Sequence, residues 1–74
     1  MNAQIVMDHS GDTRHEFDPN SATDVFRAEK RFRQLTKQGF RAVALSKDDK
    51  PGVLLREFDA EVEQTLFIPH LKGG

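Results

Sequence analysis

The stretch from Ser21 to Gly39 limits the fold most, because it is a single helical stripe with a marked start and a marked stop. Val25, Ala28, Phe32 and Leu35 recur at three- and four-residue steps, which lines them along one side of a helix. Ser21 has the form of an N-cap, whose hydroxyl accepts a hydrogen bond from an otherwise unpaired backbone N–H. Asp24 stands three residues on, in the capping-box position. Gly39 supplies the stop, since it enters the left-handed conformation without a Cβ clash. The other side carries Arg27, Lys30, Arg31, Gln34, Lys37 and Gln38, the composition of a solvated helix face.

Everything around that helix reads as short strands. Gln4 to Met7 is an apolar run ended by the turn-forming cluster Asp8-His9-Ser10-Gly11-Asp12, and Thr13 to Phe17 follows, closed by Asp18-Pro19-Asn20. Two such runs around a Gly-containing loop predict a β-hairpin. The second run is polar and fits an edge strand. After the helix, Phe40 to Leu45 reads as a strand buried on both faces. Ser46 to Gly52 is a charged turn, and Val53 to Phe58 holds a strand anchored by Leu54 and Leu55. Asp59 to Glu63 is acidic and reads as a turn or one helical turn. Thr65 to Ile68 is the last strand, with pairing expected to weaken at Pro69, which has no N–H to donate. The fold class expected is therefore α+β, with Phe17, Phe26, Phe32, Phe40 and Phe58 in the core, Phe26 near the helix flank.

Composition narrows the function classes. Seventy-four residues make one domain, and 19 of them are Leu, Ile, Val or Phe, enough to avoid the disordered class. A ligand pocket usually takes about 300–1,000 Å³, a large share of so small an interior, which argues against a self-contained enzyme. Eleven basic against twelve acidic side chains give a net charge of −1, with no global field for nucleic acid or an anionic membrane. With no cysteine there is no disulfide framework, thiolate nucleophile or thiolate zinc site. No apolar run is long enough to span a membrane, and Met1 to Met7 lacks the features of a signal peptide, so a cytoplasmic location is expected. His9, His15 and His70 lack zinc-motif spacing, and no metal is expected. Ser10, Thr13 and His15 lack a third orienting group for nucleophilic catalysis. Nothing specifies self-association, so a monomer is expected.

The order strand, strand, helix, three strands, then Gly73-Gly74 resembles ubiquitin and its β-grasp relatives. The similarity is sharpest from Leu55 onward, where Leu55-Arg56-Glu57-Phe58-Asp59 leads into Glu63 to Ile68 and then His70-Leu71-Lys72-Gly73-Gly74. The resemblance implies a β-grasp domain over residues 1–69 and a flexible tail over 70–74. It implies a modifier whose Gly74 carboxylate is adenylated by a partner activating enzyme at the expense of ATP, then joined to protein amines. Gly73 is the second slender link, while His70, Leu71 and Lys72 occupy the stretch that partners grip. A conjugating enzyme, a peptidase and target proteins are the further partners implied, with no cofactor held by the chain itself. In the sulfur-carrier branch of the fold, the adenylate becomes a thiocarboxylate instead.

The chemistry suits such residues. A terminal carboxylate, with a pKa of about 3.5, is ionised and a poor acyl donor until activated. Five extended residues reach about 16–18 Å, and glycines allow close approach of the backbone inside a narrow channel. His70 departs from ubiquitin's tail, which points to a dedicated activating enzyme, and Pro69 is a second departure, which implies a last strand that ends sooner than ubiquitin's. Phe67 or Ile68, whichever faces outward, is the candidate for an exposed hydrophobic patch. A third reading is a β-grasp interaction module that binds through its sheet face or its basic helix, with an idle tail.

Overall fold

The computed structural model describes residues 1–45 and 52–69. The elements are β1 (Asn2–Asp8), β2 (Gly11–Phe17), α1 (Ala22–Lys37), β3 (Phe40–Leu45), β4 (Val53–Leu55) and β5 (Gln64–Pro69). They form an α+β fold with one helix packed on a five-stranded mixed sheet of order β2-β1-β5-β3-β4. The two central strands, β1 and β5, run parallel, with Val6 opposite Phe67, and every other pairing is antiparallel.

β1 and β2 form the expected hairpin. The turn is tighter than the cluster suggested: Asp8 pairs with Gly11, leaving only His9 and Ser10 between the strands. The Asp8 carboxylate accepts hydrogen bonds from the Ser10 hydroxyl and the Ser10 N–H, which hold its pKa below the usual carboxylate value. Gly11 takes φ +127°, a conformation that side-chain-bearing residues rarely adopt. β2 is an edge strand, as its polar sequence predicted, and six of its seven residues lack full burial.

α1 starts and stops where its residues specify. Ser21 Oγ accepts from the Asp24 N–H at 3.3 Å, one half of a capping box. The reciprocal half is redirected. The Asp24 carboxylate accepts from the N–H of Asp18 at 3.0 Å, which ties the helix start to the end of the hairpin. Gly39, at φ +103°, ends the helix after the Gln38 C-cap. Ala28 and Phe32 are buried, and Leu35, half-buried, packs against the core to which Phe32 belongs.

The core lies between α1 and one face of the sheet, built on Val6, Phe32, Ala42 and Phe67. Ring pairs link it: Phe32 lies 5.7 Å from Phe67 and 6.0 Å from Phe58, which in turn lies 6.0 Å from Phe17. Such tilted and edge-on contacts suit the aromatic quadrupole. Gln4 is also buried. Its Nε2 donates to the Ala28 carbonyl at 2.9 Å, and its Oε1 accepts from Arg31 at 3.0 Å, so burial leaves neither amide atom unpaired.

Four expectations are corrected. Phe26 is not core but 68% exposed, on the helix side away from the sheet. β3 is not buried on both faces: only Ala42 is fully enclosed, because among the described residues no layer covers the second face. β4 ends at Leu55 rather than Phe58, where the chain turns so that Phe58 meets Phe17 and Phe32. Leu54 is no anchor, being 55% exposed, whereas Leu55 packs on the core.

Candidate functional site

Strand register decides which side chains face away from α1. Phe67 is fully buried and sits opposite Ala42 on β3 and Val6 on β1, both core residues. Successive strand residues point to opposite faces, so their neighbours belong to the uncovered face. One row crosses all five strands there: Arg14, Ile5, Leu66, Val43 and Leu54, each opposite the next. A second row places Ile68 opposite Arg41, with Met7 and its partner Asp12 alongside.

Ile5, Leu66 and Val43 are partly exposed, while Met7, Ile68 and Leu54 are among the exposed large hydrophobic residues. The result is an apolar band across the sheet, bounded on the β2 edge by Asp12, Arg14 and Glu16. Arg14 and Glu16 pair there at 3.3 Å, both half exposed. Contiguous apolar surface with a polar rim is a mark of interaction sites, whereas isolated surface hydrophobic residues carry no such meaning.

Of the two side chains singled out for a surface patch, Ile68 lies in this band, 40% exposed. Phe67 does not: it is the centre of the core, and the assignment to a surface is corrected. Reading the sequence missed Ile5, Val43, Leu54 and Leu66. Its only signal was that Thr65 to Ile68 runs apolar without alternating, so the strand has hydrophobic side chains for both faces. Which went where needed the register.

The tail residues His70, Leu71, Lys72, Gly73 and Gly74 lie outside the described residues, as do residues 46–51. What the fold fixes is the place of the strand before them. β5 is flanked on both sides, by β1 and β3, and it ends at Pro69, opposite Phe40 at the start of β3. The last described residue, Pro69, thus stands next to Ile68 at one end of the apolar band.

Elsewhere, a groove of about 320 Å³ lies between α1 and the segment after β4, floored by Phe32 and Phe58 and rimmed by Glu29, Arg33, Arg56 and Glu57. Thr36, on the same groove, gives its hydroxyl proton within the helix, to the Phe32 carbonyl at 2.9 Å. Among the described residues no three His, Cys, Asp or Glu side chains gather as metal ligands. None of the described helices is long and apolar enough to cross a membrane. His15, on the α1 side of β2, is held below the ordinary histidine pKa, first by burial and then by the nearby charge of Arg31. Comparison with known protein families, curated proteins and solved structures finds no match to this chain.

Proposed function

We propose that this chain is a β-grasp domain of the ubiquitin-like kind and acts as a protein modifier through Gly74. The observation that carries the reading is the sheet order β2-β1-β5-β3-β4, with a parallel central pair, one helix on a single face, and a diglycine segment following the central strand. The uncovered apolar band supports it further. An enzyme that grips the segment after Pro69 needs a surface to hold the body, and Ile68 and Leu66, with Val43 opposite Leu66, offer one on the strand that ends at Pro69.

In the proposed chemistry, the Gly74 carboxylate attacks the α-phosphate of ATP on a partner enzyme and displaces pyrophosphate. The acyl adenylate then passes its acyl group to a thiol with loss of AMP. An amine of a target protein finally displaces the thiol. All three steps take place on other proteins, and this chain contributes a carboxylate on a slender backbone. A sulfur carrier would share the adenylate and differ only in receiving sulfur at the same carbon.

Co-expression with its genomic neighbours, followed by intact-mass spectrometry, tests the proposal. Three chains are compared: the unaltered chain, one lacking Gly73 and Gly74, and Leu66→Asp. Covalent adducts on other proteins are expected from the unaltered chain only. Leu66→Asp should reduce them while leaving the chain folded, since the side chain faces away from the core. Replacement of one oxygen by sulfur in the unaltered chain would identify the carrier instead. Equal partner binding by the truncated chain, with neither product formed, would leave only the interaction module standing.

A further inference from the structure

Phe26 is a large aromatic side chain that the fold does not use: it is 68% exposed, on the side of α1 turned away from the sheet. Its helical neighbours toward the C-terminus, at steps of four, three and four, are Lys30, Arg33 and Lys37. These spacings keep the four residues on one line, about 16 Å long at 1.5 Å per residue, opposite the buried line of Ala28 and Phe32. The stripe is therefore one apolar end followed by three cations. Phe26, Glu29, Lys30 and Arg33 enclose a shallow recess of about 110 Å³.

Among the described residues the charge of the stripe is little engaged. Its only ion pair among them is a loose one, Arg33 with Glu29 at 3.9 Å, and the Arg33 side chain is 77% exposed. α1 as a whole carries five cations and two anions, in a chain whose net charge is −1. One of those anions, Asp24, is already engaged by the N–H of Asp18. Arg31, by contrast, leaves this face and turns inward to Gln4.

We propose that this stripe docks an acidic segment of a partner protein, with an apolar side chain set against Phe26 and carboxylates following along Lys30, Arg33 and Lys37. An aromatic anchor beside complementary charge is the usual composition of a binding hot spot and its rim. A protein segment fits better than a nucleic acid. Base stacking uses a series of aromatics, whereas this face has one, and a net charge of −1 gives the chain no overall attraction for a long polyanion. The stripe lies on the opposite side of the molecule from the apolar band, so both surfaces can be occupied together.

The test is titration of a short synthetic polyglutamate peptide bearing one leucine near an end, against the unaltered chain, Phe26→Ala, Phe26→Leu and Lys30→Glu. A second peptide has serine in place of the leucine. Saturable binding of the leucine peptide is expected, weaker by about tenfold in Phe26→Ala and in Lys30→Glu. Phe26→Leu and a low-salt buffer should each preserve it, and the serine peptide should bind as poorly as Phe26→Ala does. All the replaced side chains are exposed, so unchanged thermal transitions would separate lost binding from lost fold. The proposal is overturned by absence of saturable binding, by equal affinity for the two peptides, or by indifference to Phe26→Ala. It is overturned equally if a single-stranded oligonucleotide competes as well as the peptide, or if the stripe mediates self-association of the chain.

Discussion

Gln4 and His15 sit opposite one another in the hairpin, both turned toward the helix, and both answer to Arg31. Gln4 solves a burial problem with two hydrogen bonds. His15 solves it by staying neutral, because burial and the Arg31 charge disfavour its protonated form. The consequence is a pH dependence of known sign. Above the unfolded histidine value of about 6.5, neither state is protonated and His15 contributes no slope. As the pH falls below it, the unfolded chain takes up a proton that the folded chain refuses, so stability drops. The loss ends once the pH passes the lowered native value. Urea unfolding midpoints across this window should decline toward acid in the unaltered chain, and His15→Gln should flatten that part of the decline. An unchanged slope in the variant would assign it to other groups.

Among the elements, α1 was read most completely, because its period, cap and stop are all local properties. Ser21→Ala should cost about 1 kcal/mol, since it removes the oxygen that receives the Asp24 N–H. In a domain this small that lowers the thermal midpoint by about 4–8 °C, measurable by circular dichroism. Retention of the Asp24 bond to Asp18 should keep the helix start in place, so the helical signal of the folded state should not change. The strands were legible only in part. β2 betrayed its edge position by its polarity. β4 was drawn too long, because Leu54, Leu55 and Phe58 look alike in sequence but have three different fates: Leu54 faces out, Leu55 meets the core, and Phe58 returns to it after the strand has ended. Phe26 was misjudged for a related reason. Its size and apolar character suggested burial, but its place on α1, opposite the line of Ala28 and Phe32, turns it away from the sheet.

The whole molecule depends on the parallel pairing of its two ends. β5 alone joins the β1–β2 hairpin to the β3–β4 pair, and it supplies the fully buried Phe67. Ending the chain before Gln64 should therefore abolish cooperative unfolding altogether. Removing β5 takes away the inner partner of both β1 and β3, and small cores of this kind supply only about 3–5 kcal/mol. A thermal melt of the truncated chain that still showed a sharp transition would contradict this account. The candidate site has the same dependence on distant pairing. Its apolar row draws Ile5, Leu66, Val43 and Leu54 from four strands, and those residues are neighbours only because the register makes them so.

By itself, the sequence determined the helix with its boundaries, the hairpin, the α+β class, and the presence of a diglycine after the last strand. Each of these rests on periodicity or on turn and cap chemistry within a few residues, which a linear reading can see. Tertiary structure alone decided that β5 lies between β1 and β3, that Phe67 goes in while Ile68 goes out, and that Phe26 is left uncovered. Those outcomes turn on which strand faces which and where the second layer stops. A one-residue change of register would exchange every inward side chain of β5 for an outward one, with no change in the local pattern.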